Sequence, residues 1–472
     1  MNSAKRVFST ILLLSFLIVP TQNADQNISY LFEKICLGLE HHVPGDIPIV
    51  KADFHRVQEE KEWTIILYVS ADNDLAPFSI RNIKQMAEVG SNEHFNIVVQ
   101  LDIRKSNGKK ITRRYFVKKG KVLHLNADDP DSQAMDSGDP ETLVSCCKWA
   151  ITEFPAKNYG LVLWNHGAGI LDPSRYRAIR AEELFVFNPR TQRLEIDRSL
   201  GYLERMLHRG ICFDDSTGNY LTNQDLEYAL ETIYTKYLDE EKFAFVGFDA
   251  CLMQMVEVAN LFKDYACVII GSQEASLGYG WNYADMFRQF EDGAPDLEEL
   301  MRHMVKTYKK TYEPITDDYT LSAICLNKIE DLEENLHEVA ALLLNGLKKQ
   351  RNGAVKKAVR ASRSRLICTH FDEPSYIDLY HFYGNLLRHI EYMKLLDDRD
   401  EELFQSDLED LLIGGRDLIE EIVFANTVGE SLARARGISI YFPERGIHSS
   451  YGKTLFAKEN AWMQFLIQYL SS

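Results

Sequence analysis

Short apolar runs that alternate with helical segments constrain this chain more than any other feature of its sequence. The runs Trp63–Ser70, Tyr159–Asn165 and Phe243–Phe248 are short, rich in β-forming residues and bounded by polar turns. Helical patterns lie between them, for example over 77–89 and 139–154. Such alternation predicts a mostly parallel sheet with helices on both faces. We therefore expect a three-layer α/β domain over residues 61–290.

The pattern changes after residue 290, where long helical segments dominate. They include Tyr376–Met393 and Glu402–Ala425, and two strand-like runs, Leu321–Leu326 and Gly437–Phe442, interrupt them. We therefore expect a smaller, helix-rich C-terminal domain over residues 291–472.

The N-terminal residues have the organisation of a secretory signal peptide. Lys5 and Arg6 precede an apolar run over 11–19 that Pro20 ends, and small or polar residues follow as far as Ala24. The run is too short for a membrane span, which needs about 20 residues. We expect residues 1–24 to be a signal peptide and 25–60 a linker or pro-segment. The protein should be secreted or periplasmic, without a permanent membrane anchor.

The charge balance limits the class of partner. The chain has 70 Asp and Glu against 53 Lys and Arg, a formal net charge of −17. Such a surface repels nucleic acid, so we expect no nucleic-acid partner, whereas cationic peptides would be attracted. We also expect the protein to be a monomer.

Two reactive side chains follow predicted strands. His166 comes directly after the run that ends at Asn165, and Cys251 comes shortly after the run that ends at Phe248. Ligands and catalytic groups collect outside the carboxyl ends of parallel strands. If these strands are neighbours, the imidazole and the thiol meet at one edge of the sheet.

The two groups suit nucleophilic catalysis. The sequence predicts a helix from Leu252, so the Cys251 thiolate would be stabilised by the helix N-terminus and by the imidazole. Backbone N–H groups of Gly167 and Cys251 are the candidate oxyanion donors. The alternative interpretation is that Cys251 and His166 are ordinary core residues.

Longer motifs resemble the clostripain-like cysteine peptidases, a family with a caspase-like fold related to caspases, legumains and gingipains. They follow the family's order and cover nearly all of the chain after residue 60. They are WTIILYVSADNDL at 63–75, YGLVLWNHGAG at 159–169, FDDSTGNYLTNQDLEYAL at 213–230, FVGFDACLMQMVEVA at 245–259, GSQEASLGYGWNY at 271–283 and GISIYFP at 437–443.

The resemblance implies a role for individual residues. His166 corresponds to the catalytic histidine, Cys251 to the nucleophile and Asp249 to the aspartate at the base of the substrate pocket. A buried carboxylate there would pair with Arg or Lys, which implies cleavage after basic residues. Asp249 could instead cap the following helix. Glu274 could add negative potential to the pocket or be a solvated loop residue.

The resemblance also implies self-processing after a basic residue between His166 and Cys251. We expect the cut between Arg180 and Ala181, although an arginine-rich loop can simply be solvated. The chemistry requires no cofactor, but some family members need calcium. Oxygen-rich residues here are Asp72, Asp74, Asp214 and Asp215; ordinary turn chemistry is the other interpretation.

Two other function classes remain open. The chain could be a catalytically silent module that binds basic peptides through Asp249. It could also be a Cys-His amidase or transpeptidase, which would not need a carboxylate in its first pocket. Cleavage of peptides after Arg or Lys would distinguish the endopeptidase from both.

Overall fold

The computed structural model describes residues 47–52, 59–105, 108–128, 133–172, 185–188, 190–191, 193–197 and 211–472. The predicted signal peptide lies outside these residues, as does most of the predicted linker. Across the described parts of the chain, no helix has both the length and the apolar character that a membrane span requires.

A ten-stranded sheet forms the centre of the fold, in the order β1-β5-β4-β3-β2-β6-β11-β12-β13-β15. Three two-stranded sheets pair β7 with β8, β9 with β10, and β14 with β16. In chain order the strands are β1 Ile49–Lys51, β2 Lys61–Ala71, β3 Phe95–Arg104, β4 Lys110–Lys118, β5 Lys121–His124, β6 Ala156–Trp164, β7 Phe185–Asn188, β8 Arg193–Ile196, β9 Ile211–Asp214, β10 Asn219–Leu221, β11 Phe243–Asp249, β12 Ala266–Gly271, β13 Thr320–Cys325, β14 Tyr376–Asp378, β15 Val423–Val428 and β16 Ser439–Tyr441.

The centre of the large sheet is parallel, antiparallel pairs extend it on both sides, and β1 pairs in parallel with β5 at one edge. Strands β3, β2, β6, β11 and β12 pair in parallel with their neighbours. The hairpin of β4 and β5 extends one flank, and β13 and β15 extend the other. The predicted fold class, a mostly parallel sheet flanked by helices, is confirmed.

The sheet also divides by chain order. Every strand from β1 to β6 lies on one side of the β6–β11 pair, and β11, β12, β13 and β15 lie on the other. The segment 165–242, which holds the small sheets β7–β8 and β9–β10, connects the two halves. The junction between β6 and β11 is therefore the boundary between two contiguous parts of the sequence.

Helices cover both faces of this sheet. The adjacent β2 residues Trp63 and Thr64 point to opposite faces: the Trp63 indole donates to the Pro295 carbonyl, and the Thr64 hydroxyl donates to the Phe154 carbonyl, which follows helix Pro140–Glu153. Within the described residues the helices are Ala76–Val89, Pro140–Glu153, Asn223–Tyr237, Val256–Phe262, Tyr283–Phe287, Leu297–Tyr312, Ile329–Lys349, Ala354–Ser362, Leu379–His389, Asp398–Ile422, Leu455–Glu459 and Trp462–Ser471.

The C-terminal part of the chain contributes to the large sheet as well as to helices. Strands β13 and β15 both lie beyond residue 290, so the predicted domain boundary does not coincide with an edge of the sheet. Residues 423–425 were expected at the end of a helix but begin β15, because they pair with β13. Tyr376–Asp378 likewise pairs with Ser439–Tyr441 instead of starting a helix. Long-range pairing here overrides local helical pattern.

Candidate active site

His166 and Cys251 follow two adjacent strands. Strands β6 and β11 pair in parallel with Trp164 opposite Asp249, so the residues after each strand leave the sheet at the same edge. Both His166 and Cys251 line a single cavity there. The structure thus brings together the two reactive side chains that the sequence analysis singled out.

Gly167 allows the two strand ends to approach each other. A Cβ atom at this position would lie 2.3 Å from the Cys251 carbonyl oxygen and 3.0 Å from its amide nitrogen. Both neighbours are backbone atoms that cannot easily move, so a side chain here would separate His166 from Cys251. The glycine is therefore required by contact between two loops of the protein itself.

The imidazole of His166 pairs with Asp74, a contact that the sequence analysis did not predict. His166 is 4% exposed, and its Nε2 lies 2.8 Å from Oδ1 of Asp74. When Nε2 donates to the carboxylate, the lone pair of a neutral imidazole is on Nδ1. Asp74 therefore selects the tautomer in which Nδ1 can accept a proton.

The turn after β2 places Asp74. The Asn73 side chain accepts from the Leu75 amide at 2.9 Å and donates to the Phe213 carbonyl at 3.1 Å. Because β2 pairs in parallel with β6, this turn lies at the same sheet edge as His166. The sequence shows Asp74 only as part of an Asp-Asn-Asp turn after a strand. That pattern does not indicate that its carboxylate contacts His166.

The Cys251 thiol lies in a tight turn and is 5% exposed. Its Sγ accepts a hydrogen bond from the Ser276 amide at 3.1 Å. This N–H group favours the thiolate, whereas the Ser276 carbonyl, 3.7 Å from Sγ, accepts a hydrogen bond from the thiol. The next residue, Leu252, has a φ of +65°, a left-handed conformation that costs a branched residue about 1–2 kcal/mol. Strain is therefore stored beside the candidate nucleophile.

The helix after Cys251 begins later than predicted. It starts at Val256 with Met255 as its N-cap residue, so the expectation that Cys251 lies at a helix N-terminus is wrong. Leu252 donates from its amide to the Glu274 carbonyl at 3.2 Å, and these intervening residues form a turn tied to the loop after β12. The Ser276 amide takes the place of the expected helix dipole. Asp249 is not a helix cap either.

Asp249 is buried at the base of the cavity. Its Oδ2 accepts from the Trp281 amide at 3.0 Å and from the Tyr283 hydroxyl at 2.8 Å. Burial raises its pKa to about 7, although these two hydrogen bonds oppose the shift. Gly280, with φ of +64°, passes so close that a Cβ atom would lie 2.5 Å from Oδ2. The segment 280–283 therefore holds this carboxylate in place.

The cavity that contains these groups is small. It has room for a volume of about 20 Å³, which is about one water molecule. Its lining residues come from the turn after β2, the ends of β6 and β11, and the loop after β12: Leu75, Trp164, Asn165, His166, Asp249, Ala250, Cys251, Ser276, Leu277, Gly278 and Gly280.

Glu274 does not line this cavity. Its side chain is fully buried, and Oε1 accepts from the Ala275 amide at 2.8 Å and from the Asp372 amide at 2.7 Å. Neither expected role, a pocket carboxylate or a solvated loop residue, matches this placement. The carboxylate instead fixes the loop after β12 to the segment around Asp372.

A second group of carboxylates lies at the same sheet edge but surrounds a lysine. Ligand atoms of Asp72, Asp102 and Asp214 lie within 4.8 Å of one another. The Lys110 ammonium is 3.1 Å from Asp102 and also contacts Asp214, while Arg104 is 2.8 Å from Asp72. Two internal cations thus lie beside the carboxylates.

The pKa values in this group show the effect of the ammonium. Burial raises the pKa of Asp102 to about 7 despite the attraction of Lys110. Burial acts in the same direction on Asp214, but Lys110 and the N–H groups of Thr217 and Ser137 outweigh it and lower its pKa. Asp74 and Asp215, named with them from the sequence, are not part of this group.

The predicted processing bond, Arg180–Ala181, lies outside the described residues. Of the nearby arginines, Arg193 belongs to the β7–β8 hairpin and pairs with Asp317.

Comparison with known proteins identifies relatives along most of the chain. A model of the clostripain family matches residues 67–182 and 198–468. Clostripain from Hathewaya histolytica is 24% identical over 257 residues, which are 50% of this chain and 43% of clostripain. The chain thus spans less than half the length of this curated relative.

Solved structures with the same fold include three of bacterial C11 proteases. One is a secreted C11 cysteine protease from Bacteroides thetaiotaomicron, with a TM-score of 0.55, 15% identity and coverage of 86% of this chain and 99% of that one. A secreted C11 cysteine protease from the same organism, in complex with an irreversible peptide inhibitor, has a TM-score of 0.53 and 19% identity. The match covers 85% of this chain and 98% of that one. An inactive zymogen C11 protease from Parabacteroides distasonis has a TM-score of 0.52 and 18% identity, and the match covers 85% of this chain and 99% of that one. At these identities the likeness concerns the fold.

Proposed function

Because the chain belongs to the clostripain family of cysteine peptidases, we propose that it is an endopeptidase that cleaves peptide bonds after Arg or Lys. Cys251 is the nucleophile and His166 the general acid and base. One observation carries the proposal: His166, Cys251 and the buried carboxylate of Asp249 line the same cavity at the end of two adjacent parallel strands. This arrangement combines a reactive dyad with a group that can bind a cationic side chain.

The chemical steps follow from these positions. The Cys251 thiolate attacks the carbonyl carbon of the scissile bond, and His166 donates a proton to the leaving amine. Water then attacks the thioester while His166 accepts a proton from it. Asp74 keeps the imidazole in the productive tautomer and stabilises it when protonated. The amides of Gly167 and Cys251 are the candidate donors to the tetrahedral oxyanion.

Specificity would come from Asp249. A guanidinium or ammonium group entering the cavity would meet a carboxylate whose protein partners, the Trp281 amide and the Tyr283 hydroxyl, are neutral. An unneutralised buried carboxylate strongly favours a cationic partner and rejects an acidic one. The Arg-to-Lys preference follows from how many donors reach the remaining carboxylate oxygen.

Fluorogenic peptides test this specificity. We expect cleavage after Arg and Lys, and none after Asp or Leu. Asp249→Asn should abolish the preference, whereas Asp285→Asn, on the short helix that follows the Asp249-holding segment, should keep it. No cleavage after either basic residue by a protein whose Cys251 is reactive would contradict the endopeptidase and favour the amidase or transpeptidase.

The reactivity of the Cys251 thiol distinguishes the endopeptidase from a catalytically silent binding module. An arginine chloromethyl ketone should alkylate Cys251 alone among the seven described cysteines, all of which are free. Burial raises the pKa of Cys146 and of Cys212 to about 12, so these thiols should not compete. An unlabelled Cys251 in a protein that still binds basic peptides would support the silent module.

Self-processing between His166 and Cys251, at Arg180–Ala181, is the second part of the proposal. The β6–β11 junction supports it, because a cut in the connecting segment separates the chain without removing a strand from either half of the sheet. Cys251→Ala protein should remain one chain, and Arg180→Gln should block the cut at this bond. Two fragments from the purified Cys251→Ala protein would contradict self-processing.

The cluster of Asp72, Asp102 and Asp214 does not support calcium binding. The position that a cation would occupy between Asp102 and Asp214 is adjacent to the Lys110 ammonium, which already bonds to both. The residues fit an internal ammonium ion better than calcium, so we route no step of the reaction through a metal at this cluster.

Export is proposed from residues 1–24. The basic, apolar and small-residue regions there match a signal peptide. N-terminal sequencing of protein recovered outside the cytoplasm should begin near residue 25. An intact Met1 would contradict export by this route.

A further inference from the structure

A cavity of about 340 Å³ lies between two C-terminal helices and the loop that precedes β16, and it shares no lining residue with the active-site cavity. Helix Leu379–His389 and helix Asp398–Ile422 form its walls. Its lining contains no carboxylate. It contains four arginines and one histidine: Arg388, Arg416, Arg434, Arg436 and His381.

These arginines lack ion-pair partners in a chain with a large excess of acidic residues. Over the described ranges, none of the four guanidinium groups pairs with a carboxylate. The chain has 70 acidic against 53 basic residues, so counter-ions are abundant. Arg363 illustrates the usual arrangement, since it pairs with Glu444 at 3.0 Å. Four like charges around one cavity repel one another unless an anion enters.

Neighbouring side chains orient two of the guanidinium groups. The Cζ atoms of Arg416 and Arg436 lie 4.1 Å and 5.9 Å from the centre of the Tyr380 ring. Gly384 lies alongside Arg416, where a Cβ atom would be in ordinary contact at 3.8 Å from Cζ. The Nε atom of Arg416 is buried and has no protein partner. A buried N–H donor without an acceptor is unfavourable unless a ligand supplies one.

His381 adds a neutral donor. Its Nδ1 accepts from the Thr369 amide at 3.1 Å, so the hydrogen of the neutral ring is on Nε2. Burial, reinforced by the four nearby arginines, lowers its pKa to about 4. The ring is therefore neutral at physiological pH and its Nε2–H can donate.

We propose that this cavity binds a small, multiply charged oxyanion of the phosphate class. Guanidinium groups offer paired N–H donors that match phosphate oxygens in a bidentate geometry. Several converging guanidinium groups require more than one negative charge, which a single carboxylate does not supply. The volume is that of a small-ligand site. This site is independent of peptide cleavage.

Inorganic triphosphate is the probe that tests the proposal. Titration calorimetry uses the full chain carrying Cys251→Ala, which prevents self-cleavage. We expect saturable 1:1 binding that weakens with salt. Arg416→Gln with Arg434→Gln should weaken it by about tenfold or more, since each removes charge-assisted hydrogen bonds. Absence of binding to the unsubstituted cavity would overturn the proposal.

The chain offers a matched control. Another basic cavity, of about 570 Å³, includes Arg360 and Arg445 but also Glu444, which pairs with Arg363. Arg360→Gln with Arg445→Gln removes the same charge and should leave triphosphate binding unchanged. An equal loss from both double variants would indicate a general charge effect and overturn the proposed site.

A second measurement needs no substituted arginine and is decisive if the variants fold poorly. Triphosphate should protect Arg416 and Arg434 from an arginine-specific dicarbonyl reagent by at least several-fold, as read by mass spectrometry, and should not protect Arg360. Equal modification with and without triphosphate would overturn the proposal. Protection by a tetraglutamate peptide but not by triphosphate would also overturn it, in favour of an acidic peptide.

Discussion

The Nε2 atom of His166 lies 2.8 Å from Oδ1 of Asp74, and the two residues reach each other from the ends of neighbouring parallel strands. The next strand along, β11, leads to Cys251. Three adjacent strands of one sheet thus deliver an acid, an imidazole and a thiol to one edge. Their order in space follows from strand pairing and is independent of their spacing in the sequence.

Asp74→Asn tests whether this carboxylate positions the imidazole. An amide cannot stabilise the protonated ring and can favour the wrong tautomer, so kcat should fall by about 10- to 100-fold while KM changes little. The pH profile of kcat should also differ from that of the wild type, because the amide cannot stabilise the protonated ring. Asp128→Asn, at an exposed pair with Lys51, is the control and should match the wild type. An unchanged pH profile would indicate that Asp74 has a structural role only.

Gly280→Ala tests the close approach to Asp249. The added Cβ would lie 2.5 Å from the carboxylate oxygen, at a φ of +64°. We expect loss of about 1–3 kcal/mol of stability or a displaced Asp249 with a raised KM for arginine substrates. Gly414→Ala, where a Cβ has nothing within 4 Å, should be neutral or stabilising. Thermal unfolding and steady-state kinetics measure both effects.

The pKa of Asp249, about 7, predicts pH-dependent specificity. The carboxyl group is protonated below that pH, so kcat/KM for an arginine substrate should rise as pH increases from about 6 to 8. Dividing kcat/KM for the arginine substrate by kcat/KM for a neutral citrulline substrate cancels any pH effect on Cys251 and His166, which act on both substrates. Asp249→Asn should make this ratio independent of pH. A flat ratio in the unsubstituted protein would mean that Asp249 does not meet the substrate.

Glu257 predicts a pH dependence of stability. It is buried, and its Oε1 accepts from the Tyr441 amide at 3.0 Å and from the Tyr451 hydroxyl at 3.1 Å. Burial raises its pKa from 4.5 to about 7. A raised carboxyl pKa in the folded state contributes stability that is complete below about pH 4.5 and is lost as pH rises through about 7. Denaturant unfolding should show this loss, at most about 3 kcal/mol.

The corresponding variant is Glu257→Gln, which cannot ionise. Its free energy of unfolding should vary less between pH 4.5 and 8 than that of the wild type. Exposed Glu430→Gln should leave the pH dependence unchanged. Parallel curves for wild type and Glu257→Gln would show that Glu257 is not the group responsible.

Lys110 predicts that the fold does not depend on a metal. Chelation should leave the melting temperature of the wild type unchanged. Lys110→Met should lower the free energy of unfolding by about 3 kcal/mol or more, because buried carboxylates lose their partner. Lys157→Met, at an exposed pair with Glu62, should leave the free energy of unfolding nearly unchanged. A large stabilisation of wild type by added calcium would contradict this interpretation.

Much of the catalytic half could be predicted because its signals are local. Buried parallel strands are short apolar runs, and the predicted run Trp63–Ser70 lies within β2, Lys61–Ala71. The placement of His166 and Cys251 at strand ends followed from the same alternation. What these groups contact did not, because Asp74 and the Ser276 amide come from distant segments whose meeting depends on strand order.

The errors share a physical cause. The helix predicted from Leu252 begins at Val256, because the turn makes hydrogen bonds to the loop after β12 that no local pattern contains. Strand β15 has helix-compatible neighbours but pairs with β13. Glu274 was assigned from its nearness in sequence to a strand end, whereas its partner at residue 372 lies far along the chain. In each case a long-range hydrogen bond decides the conformation.

Because the sheet divides at the β6–β11 pair into an N-terminal and a C-terminal half, a cut in the connecting segment would change the subunit composition of the protein. The strands up to β6 and those from β11 onward would then belong to different polypeptides, joined by the β6–β11 ladder and the helices packed across it. The mature enzyme would be an obligate heterodimer with one catalytic residue on each subunit. Its denaturation midpoint would depend on protein concentration. Recovery of activity after unfolding would follow second-order kinetics and would therefore be slower at lower protein concentration.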